Sequence, residues 1–202
     1  MNAIPKVLGV CGLIGSGKSM VMNLLRLYGI PIYNCDKRAK MMYHRPDVQE
    51  SIALLWGVSP ISVTGEIEHA ILQEILSRSV ADRKSLEKII HTALRDDFFS
   101  WKEQQSSPWV ALESAILFTS SFSCFCDKTL CVIAPKETRR MRVIRRDKNM
   151  PPNRFLFFEK AQEQEAEQAN NANYIINNDS TNSLILSLEA VLKDLSINYT
   201  NV

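Results

Sequence analysis

Short apolar runs alternate with longer stretches of helical periodicity along most of this chain. The apolar runs predict β-strands over residues 6–11, 31–34, 109–112, 128–134 and 174–177. After the first run, Val21, Leu24, Leu25 and Tyr28 recur with helical spacing, and Gly29 is placed to end that helix. A second amphipathic helix is predicted near 182–195. Strands that alternate with helices predict a three-layer α/β/α fold around a central parallel sheet of about five strands.

The stretch from 47 to 105 departs from this alternation. Its apolar positions predict three consecutive helices, over 47–56, 66–78 and 82–104. Helices that connect two parallel strands are usually shorter than this, so 47–105 is predicted to be a helical insertion. The core would then consist of residues 1–46, 106–147 and 171–202.

The first predicted strand runs directly into a glycine-rich loop, Gly12-Leu-Ile-Gly-Ser-Gly-Lys-Ser19. This is a complete G-x-x-x-x-G-K-[ST] phosphate loop, in which glycines leave backbone N–H groups bare for phosphate oxygens. Lys18 is expected to reach the β- and γ-phosphates, and the Ser19 hydroxyl to ligate Mg²⁺. The loop leads into a helix N-terminus, which favours anions. We therefore predict a nucleoside triphosphate site formed by Gly12, Gly15, Ser16, Gly17, Lys18, Ser19 and Met20.

Two further features carry charge on this scaffold. The run from Lys136 to Lys148 has seven positive residues, and its Arg139, Arg142 and Arg146 share one helix face. Such a face is often only solvated, but arginines can also neutralise charge during phosphoryl transfer. Asp36 follows the second predicted strand, where open α/β sheets bind ligands. It could cap the next helix or accept a proton from an attacking hydroxyl.

Composition narrows the class of partners. The chain has 202 residues, a formal net charge of +2 and 46% hydrophobic residues, so no global charge calls for nucleic acid or an anionic membrane. No apolar window is long enough to span a bilayer. The five cysteines lie mostly in apolar surroundings, which favours reduced thiols. We expect a cytoplasmic protein that binds neither membrane nor nucleic acid.

The order of these motifs resembles the dephospho-coenzyme A kinase family of P-loop kinases. The phosphate loop, the Asp36 that ends Asn34-Cys-Asp36, and Ile90-His91 match family motifs. So do the stretch from Glu113 to Phe118, Arg142-x-x-x-Arg146-Asp147 and Gln162, and the closing strand that ends at Asn178 matches as well. Some positions depart from the family pattern: Asn34 replaces an Asp, Thr119 a Glu, His69 a basic residue, Gln168 an Arg or Lys, and Asn173 an Asp.

The resemblance implies ATP-dependent phosphorylation of the ribose 3′-hydroxyl of dephospho-CoA, with Mg²⁺ as cofactor. In that reaction Lys18, Asp36, Arg142 and Arg146 would be catalytic, and Asn178 would join the nucleotide-binding residues. Asp36 and His91 would contact the acceptor, with 47–105 as its binding region and 148–170 as a helical lid. Glu159 to Glu167 would form the solvated face of that lid.

Two alternatives stay open at this point. The chain could be another P-loop small-molecule or nucleotide kinase, which would differ in its acceptor. It could also be a nucleotide-binding paralogue weakened in catalysis, because Asn34, Thr119 and Gln168 depart from the family pattern. We expect a monomer or a small homo-oligomer.

Overall fold

The computed structural model describes residues 4–147, 151–179 and 181–197, and the chain divides into two compact units. The sheet unit comprises Met1–Asn34 and Gln105–Val202, and the helical unit comprises Cys35–Gln104. The helical unit therefore begins at Cys35 rather than at 47, because the helix that starts there packs on the longest helix of the same unit. Residues 151–170 of the predicted lid fall within the sheet unit, and 148–150 lie outside the described residues.

The sheet unit contains five parallel strands, each of which was predicted from an apolar run. They are β1 Lys6–Cys11, β2 Ile32–Asn34, β3 Trp109–Glu113, β4 Lys128–Ile133 and β5 Tyr174–Asn177. The strand order is β2-β3-β1-β4-β5, and every neighbouring pair is parallel. The helices in chain order are α1 Lys18–Leu27, α2 Cys35–Met42, α3 Pro46–Trp56, α4 His69–Arg78, α5 Val80–Glu103, α6 Lys136–Arg146, α7 Pro152–Ala161, α8 Glu163–Gln168 and α9 Leu184–Asp194.

One face of the sheet packs against α1 and α9. Alternate residues of the central strand, Leu8 and Val10, are fully buried there with Leu25 of α1 and Leu188 of α9. Gly29 ends α1 in the left-handed conformation, with φ of 78°, and its N–H donates to the Arg26 carbonyl. The helix and its predicted end are confirmed.

The segment 114–126 lies against the opposite face. Gly9 of β1 allows a close approach there, because a Cβ on it would lie 2.5 Å from the Cys126 Sγ atom and 3.0 Å from a methyl carbon of Leu117. Val143 of α6 and Phe155 of α7 are buried. The predicted three-layer α/β/α fold around five parallel strands is therefore confirmed.

The helical unit consists of α2 to α5 with its own apolar core. Ile52, Ile75 and Phe98 are fully buried in it. Ser79 caps α5 by accepting a 3.0 Å hydrogen bond from the Asp82 N–H, and the Asp82 carboxylate accepts one from the Trp56 indole at 2.8 Å. Within the described residues, no helix combines the length and the apolar character needed to cross a bilayer.

Candidate active site

The phosphate loop joins β1 to α1 and is packed closely on its neighbours. Gly15 and Gly17 have φ of 78° and 101°, a region that favours glycine. A Cβ on Gly15 would lie 2.5 Å from the Arg139 carbonyl oxygen, and one on Gly17 would lie 2.1 Å from the Asn178 side-chain nitrogen. The clash at Gly15 is with backbone, so only glycine lets α6 approach the loop there. The clash at Gly17 is with the Asn178 amide, which a side chain at Gly17 would push away from its hydrogen bond to the Ser16 carbonyl.

The hydroxyl of Ser16 lies inside the loop. Ser16 is 1% exposed, and a Cβ on Gly12 would lie 2.7 Å from its Oγ atom. Among the described residues, Ser16 Oγ is the one buried side-chain polar atom without a hydrogen-bond partner. A buried hydroxyl of this kind costs about 1–3 kcal/mol unless something pairs with it. An anion with several acceptor oxygens is the kind of ligand that would satisfy it.

Lys18 and Glu113 bring opposite charges to the carboxyl edge of the sheet. The Lys18 ammonium lies 3.8 Å from the Glu113 carboxylate, and both side chains are nearly buried, 12% and 11% exposed. The Asn34 amide at the end of β2 donates a hydrogen bond to the same carboxylate. Glu113 thus occupies the place where parallel strands present ligand-binding groups.

Glu113 has no role predicted from the sequence, although it opens the stretch up to Phe118 that matches a family motif. A carboxylate at the end of a buried apolar run is nevertheless a recognisable candidate for a site residue. In the structure, the strand that ends at Glu113 pairs with β1. In kinases, Mg²⁺ binds few protein ligands, and these are hard oxygen donors that act together with phosphate oxygens. The Glu113 carboxylate and the Ser19 hydroxyl are donors of this kind. The donors of this edge therefore fit Mg²⁺ bound together with a nucleotide.

Arg142 of α6 contacts the phosphate loop through neutral oxygens. Its guanidinium donates to the carbonyls of Ser16 and Asn178 at 3.2 and 3.0 Å, and to the Gly15 carbonyl at 3.5 Å. The Asn178 amide donates to the Ser16 carbonyl at 2.8 Å. Arg142 therefore joins the loop to the end of β5, and it adds a positive charge beside the loop.

The remaining predicted residues on these helices lie outside this contact network. Arg146 pairs with the neighbouring Asp147 at 2.9 Å, and its side chain is 62% exposed. That pair holds the pKa of Asp147 below its usual range. Met20 is 61% exposed, and its backbone N–H donates to the Gly17 carbonyl. Ser19 is exposed at the start of α1.

The prediction that Glu159 to Glu167 form only a solvated face is wrong. Glu159 forms ion pairs with Lys136 and with Arg139, the latter at 2.6 Å. Burial acts to raise the pKa of Glu159, but the two cations outweigh it and hold that pKa below its usual range. Glu165 is 2% exposed. The periodicity of a polar helical segment does not show which of its side chains form ion pairs or become buried. Those contacts are made with residues distant in the chain.

The Arg139 guanidinium and the Gln162 amide both contact Ile14 of the phosphate loop. Arg139 donates to the Ile14 carbonyl at 3.4 Å, and the Gln162 carbonyl oxygen accepts from the Ile14 N–H at 2.9 Å. Segment 152–168, which consists of α7 and α8, is therefore bound directly to the phosphate loop in this structure.

A family model for dephospho-CoA kinase matches residues 6–183, nearly the whole chain. The chain belongs to that family. The dephospho-CoA kinase of Porphyromonas gingivalis is 37% identical over 141 residues, which cover 69% of each chain. That of Thermus thermophilus is 30% identical over 193 residues, which cover 95% of this chain and 93% of the relative.

Solved structures share the fold of this chain. A crystal structure of a Thermus thermophilus protein superposes with a TM-score of 0.79 at 30% identity, and covers 98% of this chain and 100% of its own. The Campylobacter jejuni dephospho-CoA kinase superposes with a TM-score of 0.64 at 20% identity, over 94% and 96% of the two chains. The second likeness supports the fold alone. As a member of the dephospho-CoA kinase family, this protein is a kinase, and a nucleotide is one of its substrates.

Several departures from the dephospho-CoA kinase pattern have structural partners. Asn34 binds Glu113, as described above. Asn173 accepts hydrogen bonds from the Thr129 N–H and hydroxyl at 2.9 and 3.2 Å, which fixes the start of β5 beside β4. Thr119 donates to Glu165 through both its N–H and its hydroxyl. Gln168 and His69 are exposed.

Asp36 and His91 belong to the helical unit. Asp36 lies in the first turn of α2 and is exposed. His91 is half-buried on α5, and burial lowers the pKa of its imidazole although Glu87 acts in the opposite sense. The same unit has an open groove of about 230 Å³, lined by Asp47, Val48, Ser51, Lys88, Ile89, Thr92, Ala93 and Asp96.

Proposed function

We propose that this chain transfers the γ-phosphoryl group of ATP to the ribose 3′-hydroxyl of dephospho-CoA, giving CoA and ADP. The observation that carries the proposal is a complete phosphate loop with Lys18 beside the Glu113 carboxylate, in a chain that matches the dephospho-CoA kinase family over residues 6–183. The reaction needs little covalent chemistry from the protein, because positioning and charge stabilisation supply most of the acceleration.

The phosphate loop would hold the triphosphate of ATP. Its backbone N–H groups and the N-terminus of α1 attract phosphate oxygens, and the unpaired Ser16 hydroxyl can donate to one of them. Lys18 would leave its long 3.8 Å contact with Glu113 for the β- and γ-phosphates. Arg142 would keep the loop in place from α6 and add positive charge.

Ser19 and Glu113 would hold Mg²⁺, Ser19 through its hydroxyl and Glu113 through its carboxylate. When bound, the ion neutralises phosphate charge and orients the γ-phosphoryl group. Asn34 fixes the Glu113 carboxylate by a hydrogen bond, so the residue that replaces a family Asp orients a neighbouring carboxylate instead.

Asp36 is proposed as the general base that receives the proton of the 3′-hydroxyl. Its carboxylate is exposed and therefore accessible to a substrate. The helical unit is proposed to bind the acceptor. In the groove of that unit, Lys88 can pair with phosphate, while Val48, Ile89 and Ala93 offer apolar contact. His91 lies on the same helix, α5, as five of the groove residues.

The proposed substrates are ATP and dephospho-CoA, and the proposed location is the cytoplasm. Reduced thiols suit that compartment, and none of the five cysteines, all of which lie among the described residues, forms a disulfide. The described residues lack a helix that could cross a membrane. We still predict that the protein is a monomer or a small homo-oligomer and that it does not bind nucleic acid.

Turnover of ATP with dephospho-CoA tests the proposal directly. We expect wild-type protein to form CoA and ADP in equal amounts, and Lys18→Ala to abolish this, because no other side chain of the loop supplies a point charge. Lys193→Ala, an exposed lysine on α9, is the matched control and should behave as wild type. ATP binding without phosphorylation of dephospho-CoA would indicate a weakened paralogue or a different acceptor, and would contradict the proposed reaction.

A further inference from the structure

Glu165 is a buried carboxylate of α8 that meets an unusual set of donors. One of its oxygens accepts from the Phe118 and Thr119 N–H groups at 3.1 and 2.9 Å and from the Thr119 hydroxyl at 3.0 Å. The other oxygen lies 3.1 Å from the Phe118 nitrogen. At 2% exposure the carboxylate has lost nearly all contact with bulk water. Burial of a carboxylate is costly unless hydrogen bonds replace its hydration, so these contacts specify one arrangement of α8 on residues 118–119.

Gln162 is the N-cap of α8 and lies three residues before Glu165. Its side-chain carbonyl accepts from the Ile14 N–H at 2.9 Å, and its amide nitrogen lies 3.5 Å from the Ala115 carbonyl. Gln162 reaches the phosphate loop, and Glu165 fixes the segment that follows Glu113.

We propose that Glu165 is a positioning residue for phosphoryl transfer. By fixing α8 on residues 118–119, it places Gln162 against Ile14 and holds the segment that leaves β3 just after Glu113. The phosphate loop and the Glu113 carboxylate come from different strands, β1 and β3, and the contacts of α8 reach the chain beside each of them. The inference rests on the proposed kinase function.

Thr119 supplies two of the donors to this carboxylate. Its N–H and its hydroxyl both donate to the same Glu165 oxygen, at 2.9 and 3.0 Å. Thr119 and Glu165 therefore form one functional pair, and a change at either residue should affect the same step.

Glu165→Gln is the principal test. Glutamine keeps the size of the side chain and one acceptor oxygen. Its NH₂ group replaces the other oxygen and cannot accept a hydrogen bond from a backbone N–H. Small misplacements of reacting groups cost up to about 10²-fold in rate, so we expect kcat to fall by about 10- to 100-fold while KM for dephospho-CoA changes little. Glu167→Gln, an exposed residue of the same helix, is the control and should keep wild-type kcat.

A role confined to stability would lower Tm and leave kcat unchanged at a temperature where the variant is fully folded. A Glu165→Gln enzyme with kcat within about twofold of wild type under those conditions would overturn the proposal. If Glu165→Gln does not fold, Thr119→Val and Thr119→Ser replace it. Valine removes the hydroxyl donor and should lower kcat several-fold, whereas serine keeps the donor and should restore it; equal rates for the two would overturn the proposal.

The proposed function and the positioning role of Glu165 can each be contradicted without the other. Wild-type protein that does not phosphorylate dephospho-CoA would contradict the proposed function. Wild-type protein that turns over normally, with Glu165→Gln and Thr119→Val as fast as it, would contradict only the positioning role.

Discussion

At the residue scale, the site depends on which polar groups share hydrogen bonds. Glu113 meets Lys18 and Asn34 at one edge of the sheet, and Arg142 meets the carbonyls of the phosphate loop. Arg142 and Arg146 share a helix face in the sequence pattern, yet only Arg142 is bound to the loop, while Arg146 is paired with Asp147. The difference arises because α6 runs past the loop and Arg146 lies on its last turn.

Substitution of the two arginines should therefore give different results. We expect Arg142→Ala to lower kcat and kcat/KM together by about 10- to 100-fold, since it disturbs the position of the loop during the reaction. Arg146→Ala should have a smaller effect, because the Arg146 side chain is exposed and pairs with Asp147 rather than with the phosphate loop. Steady-state kinetics with both substrates measures this. A larger loss for Arg146→Ala than for Arg142→Ala would show that Arg146 contacts phosphate during turnover.

The role of Asp36 can be separated from metal binding. General-base help is worth about 10²- to 10⁴-fold, so Asp36→Asn should lose roughly that much in kcat and still bind both substrates. A variant that has lost a base keeps the wild-type Mg²⁺ requirement, whereas one that has lost a metal-orienting group is partly rescued by more Mg²⁺. Near-normal kcat at saturating Mg²⁺ would exclude the base role. Exposed Asp194, near the end of α9, provides the control as Asp194→Asn.

At the element scale, α5 illustrates how a long helix is given a defined start. Its predicted start at 82 is two residues late, because Ser79 caps the helix and α5 begins at Val80. Ser79 and Trp56 together hold the pKa of Asp82 below its usual range by hydrogen bonds to its carboxylate. The cap therefore joins the start of α5 to the end of α3.

Ser79→Ala should destabilise the protein by about 1 kcal/mol, the usual cost of losing an N-terminal serine cap. Ser100→Ala, at an exposed position of the same helix, should cause no loss, because alanine is a better helix former than serine. Chemical denaturation of both variants gives the comparison. An equal stability of Ser79→Ala and wild type would mean that the cap contributes nothing in the folded protein.

At the scale of the whole molecule, His91 should make stability depend on pH. Burial lowers the pKa of the imidazole, so the folded protein favours its neutral form. Below the ordinary histidine pKa of about 6.5, the unfolded chain binds more protons at this residue than the folded chain does. Its contribution to stability is therefore complete above about pH 6.5 and is lost as the pH falls through the lower, folded-state value.

Denaturation of wild type and His91→Gln between about pH 5 and 8 tests this, because the slope of unfolding free energy against pH should be smaller in the variant. His69→Gln, at an exposed position, serves as control. The same His91→Gln protein also tests the acceptor role, through KM for dephospho-CoA at unchanged KM for ATP. If unfolding free energy depended on pH equally in wild type and His91→Gln, the proposed effect of His91 on stability would be wrong. If KM for dephospho-CoA were unchanged in His91→Gln, His91 would have a structural role only.

The five strands, most of the helices and the phosphate loop were predictable from the sequence alone. Each depends on neighbours along the chain: a buried strand needs a short apolar run, and a phosphate loop needs its glycines and lysine at fixed spacing. The family followed from the order of these motifs.

The contacts between polar side chains, in contrast, became visible only in the folded protein. Glu113 received no role from its sequence neighbours, since its meaning comes from Lys18 and Asn34, which belong to different elements. Glu159 and Glu165 were predicted to be solvated because the segment is polar, yet Lys136, Arg139 and Thr119 lie against them. Hydrogen bonds and ion pairs depend on distances of a few ångströms between residues far apart in the chain, and local patterns do not carry that information.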